Sequence, residues 1–211
     1  TTGSGNTSVG FESLYTNSTG SSNTTVGYQA LRTIGTNSQC TAVGREALYN
    51  NTSAGNTALG YRAGYTNAGG SNIVALGWQA LVLNSSGNYN TAVGYDVVST
   101  NSTASYITAV GYQAAKATTV ADITAFGAQA LLANSTGLRN TAVGSRAAMT
   151  LSTANDNTAV GYYALPVSNG ASNTAIGSTA GYSNTSGAQN TVVGHSALYL
   201  NQTANANTAL G

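Results

Sequence analysis

His195 is the single histidine in a chain of 211 residues, and the carboxylates number five: Glu12, Glu46, Asp96, Asp122 and Asp156. General acid–base or triad chemistry needs a base held beside a nucleophile, and one imidazole among many serines supplies no such spacing. His195 follows a glycine at a place where equivalent stretches carry Tyr, Arg or Ser, so it reads as an exposed variable residue. Glu12 and Glu46 occupy equivalent positions two repeats apart, roughly 10 Å if each repeat is one layer of β-structure. That is near the carboxylate spacing of inverting glycosidases, but no third group supports the pair. Cys40 is alone, which excludes an internal disulfide and a cysteine metal cluster. "GGSN" (Gly69–Asn72) lacks the strand–loop–helix context and the lysine of a phosphate cradle. No turn carries the acidic pattern of calcium-binding rolls. The expectation is no catalysis, no cofactor and no metal.

Aromatic residues carry the binding potential. Phe11, Tyr28, Tyr61, Trp78, Tyr95, Tyr112 and Tyr162 each follow a repeated glycine directly, and Tyr15, Tyr49, Tyr65, Tyr182 and Tyr199 stand five after one. An exposed aromatic track could stack the sugar rings of a glycan; the alternative is that the rings pack as ladders or subunit contacts.

The element that must position these residues is a repeat. "NTAVG" occurs at Asn90–Gly94, Asn140–Gly144 and Asn157–Gly161, with near-copies from "NTSVG" (Asn6–Gly10) to "NTALG" (Asn207–Gly211). Its closing glycines are Gly10, Gly27, Gly44, Gly60, Gly77, Gly94, Gly111, Gly127, Gly144, Gly161, Gly177, Gly194 and Gly211, so the intervals are all 16 or 17 residues. The residue before the glycine is always apolar, and Thr stands three before it everywhere except Val74. Asn stands four before it, replaced only by Cys40, Ile73, Ile107 and Ile123. No charge falls on these four positions or on the Ala-Leu pair that follows, as in "YQAL" (Tyr28–Leu31), so all are expected to be buried.

Such a period suits one coil of a parallel β-solenoid, or β-roll, of about twelve 16–17-residue coils. Residues 1–211 are read as one continuous array, uncapped at both ends. Thr7, Val9, Thr24, Val26, Thr91, Val93, Thr141 and Val143 would form a structural ladder on an inward strand face. Asn and Ala would lie on the opposite face, sheltered by a neighbouring subunit. "YQAL" breaks clean alternation and fits a bent strand or a short helical turn. Asn recurs seven after the glycine at Asn17, Asn51, Asn67, Asn84, Asn101, Asn134, Asn184 and Asn201, which a left-handed corner would explain. The "NST" sequons at Asn17, Asn101 and Asn134 follow from the same turn chemistry.

On these residues the array resembles the head repeats of trimeric autotransporter adhesins. "NTSVG", "NTTVG" and "NTAVG" stand in the strand place, with Val9, Val26 and Val93 as the last aliphatic and Thr7, Thr24 and Thr91 at an earlier inward position. It is also similar to repeats of bacteriophage tail fibres and bacterial surface fibre proteins. The resemblance implies a left-handed β-roll, a homotrimer and an extracellular, cell-surface or virion fibre.

Eleven charged residues cannot form a nucleic-acid footprint, and no apolar run reaches membrane-spanning length. The function expected is therefore a structural and adhesive extracellular fibre segment, partnered by itself as a homotrimer or filament. A glycan- or receptor-binding region is the alternative. An ice-binding solenoid ranks below both, because Thr shares its face with obligatory Val, Leu or Phe and would point inward.

Overall fold

The computed structural model describes residues 2–211 and contains strands and turns but no helix. Thirteen short strands run parallel in one sheet, in sequence order. They are β1 (Thr7–Val9), β2 (Thr24–Val26), β3 (Thr41–Val43), β4 (Thr57–Leu59), β5 (Val74–Leu76), β6 (Thr91–Val93), β7 (Ile107–Val110), β8 (Ile123–Phe126), β9 (Thr141–Val143), β10 (Thr158–Val160), β11 (Thr174–Ile176), β12 (Thr191–Val193) and β13 (Thr208–Leu210). This is a β-solenoid in which each repeat makes one coil. The chain divides into two compact units, Thr1–Ile107 and Thr108–Gly211.

Registry is strict within each unit. In the first, Thr7, Thr24, Thr41, Thr57, Val74 and Thr91 pair in succession, as do Val9, Val26, Val43, Leu59, Leu76 and Val93. In the second, the pairs run Thr124, Thr141, Thr158, Thr174, Thr191, Thr208. A slip of one residue would exchange the two faces of every strand, so the pattern that fixes which face is buried also fixes register.

The buried face is not the one the sequence pattern suggests. Ala42, Ala58, Ala75 and Ala92 are fully buried, as are Asn23, Asn56 and Asn90, whereas the flanking Thr and Val are half-buried or exposed. The coil's own interior therefore takes Asn and Ala, and no neighbouring subunit is needed to shelter them. The ladder of Thr7, Val9, Thr24, Val26, Thr91, Val93, Thr141 and Val143 faces outward. The reason is room and hydrogen bonding. A coil this narrow is filled by alanine, and the asparagine amide bridges two coils instead of reaching water. Asn173 shows the pattern: its Oδ1 accepts the Asn190 N–H at 3.0 Å, and its Nδ2 donates to the carbonyls of Gly170 and Gly187 at 3.0 and 2.9 Å. Cys40 replaces this amide with a thiol, and burial pushes that thiol's pKa up.

The segment after the glycine is neither strand nor helical turn. Gln29 and Leu31 both adopt left-handed φ, +54° and +48°, and the same alternation recurs at Glu46 and Leu48 and at Gln129 and Leu131. This places Ala30 and Leu31 side by side in the core. The cost of about 1–2 kcal/mol per left-handed residue is offset by bonds to the adjacent coils, such as Gln29 N–H to Phe11 O at 2.8 Å and Leu31 N–H to Ala47 O at 2.8 Å.

The asparagines seven after the glycine are not the left-handed residues; that conformation instead falls just before the repeat Asn, for example at Ser22, Tyr89 and Ser172. Their role is a buried amide ladder. Asn67 donates to Asn51 Oδ1, Asn84 to Asn67 Oδ1, both at 2.7 Å, and Asn101 to Asn84 Oδ1 at 2.9 Å. Each oxygen awaits the amide of the following coil. Where that coil supplies Ile34 or Leu151, the oxygens of Asn17 and Asn134 are left without a partner. Asn101 and Asn134 are fully buried, so these sequons have no face for a glycan.

A prediction follows for Leu151, which is fully buried beneath the orphaned Asn134 oxygen. Leu151→Asn extends the ladder and is expected to cost no more than about 2 kcal/mol. Leu131→Asn, in a core column with no amide partners, is expected to cost about 4 kcal/mol or more. Urea unfolding of the two variants checks the difference.

Candidate functional site

Most of the carboxylates and guanidinium groups are held by local partners. Glu12 Oε2 accepts from Arg32 Nε at 2.8 Å and Gln29 Nε2 at 2.7 Å, and these bonds hold its pKa below the usual carboxylate value. Glu46 lies between Arg62 at 2.6 Å and Arg45 at 3.3 Å. Burial is the largest single influence and raises its pKa, but the hydrogen bonds and charges of Arg62 and Arg45 together outweigh it and the result is a depression. A depressed carboxylate is the reverse of what a general acid requires. Arg139 and Asp156 form a two-bond pair at 2.6 and 2.9 Å. His195 is exposed, with Nδ1 3.2 Å from Oγ of its chain neighbour Ser196. Among the described residues no group of His, Cys, Asp and Glu is arranged to hold a metal, no cavity is found, and no helix is long and apolar enough to cross a membrane.

The aromatic residues form columns along the stack. In the first unit Phe11 stacks on Tyr28 with centroids 5.5 Å apart, Tyr61 on Trp78 at 5.9 Å, and Trp78 on Tyr95 at 4.6 Å and 4°. Arg45 completes this column, its guanidinium 5.5 Å from the Tyr28 ring and 5.9 Å from Tyr61. Arg32 does the same in the second column, 5.1 Å from Tyr15 and 5.7 Å from Tyr49, and Tyr49 stacks on Tyr65 at 5.2 Å. A third column, Tyr89 on Tyr106 at 5.5 Å, was not singled out by the glycine alignment, because it sits in the connector. In the second unit Tyr182 lies flat on Tyr199 at 4.9 Å, and Tyr162 meets Tyr163 edge-on at 4.7 Å. Tyr112 is exposed on the surface of this unit. The stacked rings turn faces to one another. That geometry does not suit face-on stacking of a sugar.

No family model matches this chain, and neither a curated protein nor a solved structure is significantly similar to it.

Two exposed surfaces remain, and the units differ in them. The first unit carries an apolar stripe around its glycine corners: Val9, Phe11, Val26, Tyr28, Leu59, Trp78 and Tyr95 are all exposed. In the second unit the residue after the glycine is small at Ala128, Ser145 and Ser178, with Tyr112, Tyr162 and His195 as the larger members. There the outward Thr column of β8–β13 is unbroken and carries no charge.

Proposed function

We propose that this chain is a structural and adhesive segment of an extracellular fibre, located at a cell or virion surface and acting without catalysis. The observation that carries this reading is the in-register repetition of one outward face over successive coils. Repetition multiplies a weak contact, because each coil adds the same side chains at the same spacing. Low charge suits close packing between copies, since like charges are not brought together.

Copies of this chain are the partner that fits the apolar stripe of the first unit. Exposed contiguous aromatic and aliphatic surface of this kind is typical of protein contacts, and its ring edges can pack against a second stripe. Mass photometry is expected to give multiples of 21.0 kDa for the wild type, shifting towards the single-chain mass in Phe11→Ser/Trp78→Ser. A wild-type mass of one chain at every concentration would remove self-association from the proposal.

A further inference from the structure

We infer that the outward sheet face of the second unit is a binding site for crystalline water, an ice surface. This rests on the adhesive reading above and names the surface adhered to. Thr124, Thr141, Thr158, Thr174, Thr191 and Thr208 stand in direct register on parallel strands, with Val143, Val160, Ile176 and Val193 in a second column two residues along, bounded by Phe126 and Leu210 at its ends. Neighbouring strands are about 4.8 Å apart, and the two columns are separated by about 6.6 Å along each strand. The result is a two-dimensional array of hydroxyl and methyl groups. Its spacings are close to those between oxygen atoms on faces of hexagonal ice.

Two further features separate this face from an ordinary wet surface. Thr, Val and Ile are β-branched, so few rotamers are open to them and the hydroxyls repeat as the backbone repeats. No charged side chain stands in the strand triplets from β8 to β13, so none organises water around an ion. The first unit differs in its Thr column, which Val74 interrupts. An inward Thr column, which the sequence pattern suggests, argues against this function; the outward column removes that objection.

The test uses the full chain in thermal hysteresis and ice-recrystallisation assays, with a fluorescently labelled sample to record adsorption to a growing crystal. The wild type is expected to lower the freezing point without matching depression of the melting point, and to stay on the crystal. Thr158→Lys/Thr174→Lys should abolish both effects, and the uncharged bulky pair Thr158→Tyr/Thr174→Tyr should do the same. Ser186→Lys, in an exposed connector of the same unit, should leave them intact. Far-UV circular dichroism checks that each variant is folded. Absence of hysteresis and adsorption in the wild type would overturn the inference, as would full activity in either folded face variant. If the face pairs with a second copy instead, the wild type is inactive and the face variants lower its mass, which also overturns it. Dissociation by Phe11→Ser/Trp78→Ser reads the fibre proposal separately, so failure of one leaves the other standing.

Discussion

Replacing Gly144 by alanine is expected to destabilise the protein by about 3 kcal/mol or more, enough to unfold much of a marginally stable repeat array. Two causes combine. Gly144 has φ +128°, a region that residues with a Cβ avoid, and an added Cβ would lie 2.6 Å from Gly161 O and 2.7 Å from its carbonyl carbon. The obstacle is backbone of the next coil, which cannot rotate away like a side chain. To make room the coils would have to separate, and each separation breaks the ladder bonds of the adjoining strands. Gly35→Ala is the control: φ there is +67° and nothing lies within 4 Å of the added methyl. Its cost is expected to be about 1 kcal/mol, the left-handed penalty alone. Thermal unfolding of the two variants separates the shape of the stack from the freedom of glycine. Equal costs would show that the close approach of Gly144 and Gly161 does not matter.

Asn173→Asp is expected to be nearly as damaging, although it changes almost no volume. Asn173 is 1 % exposed. The substitution keeps the oxygen that accepts from Asn190 N–H and removes the two donors that serve Gly170 O and Gly187 O. A carboxylate would then face two carbonyl dipoles inside the coil, at a cost of about 3 kcal/mol or more at neutral pH. Burial and those dipoles raise the carboxyl pKa in the folded state above its unfolded value of about 3.9. The folded state then binds the proton more tightly, so stability falls as pH rises from the unfolded value through the higher folded one. In acid the neutral carboxyl can donate one bond, and part of the loss is recovered. Urea midpoints for wild type and variant on either side of that pKa test this. A penalty that does not grow with pH would show that the donors of Asn173 are not what the coil requires.

Much of this architecture is legible in the chain. The spacing of the repeat glycines gives the coil length and, with the β-rich "NTAVG" triplets, a stack of parallel strands. The close approach of the next coil's backbone at each repeat glycine cannot be read from sequence, but the regular recurrence of glycine marks a position that tolerates no side chain. The exclusion of charge from the Ala-Leu pair and the repeat Asn correctly marks the interior. The same exclusion misled at Thr and Val, because apolar side chains are often exposed while charges are rarely buried. An uncharged column is therefore consistent with either side of a strand.

The sequence by itself determined the period, the strand positions and the registry of like over like, because these depend on local spacing repeated along one chain. Only the tertiary structure decided which face points inward, why asparagine recurs and how the rings lie. Alternation gives two faces but no direction; the corners and the narrow bore of the coil supply it, admitting alanine and bridging amides and turning threonine and valine out. Partners such as Asn134 and Leu151, or Tyr28, Arg45 and Tyr61, are one coil apart and meet only when the coils stack.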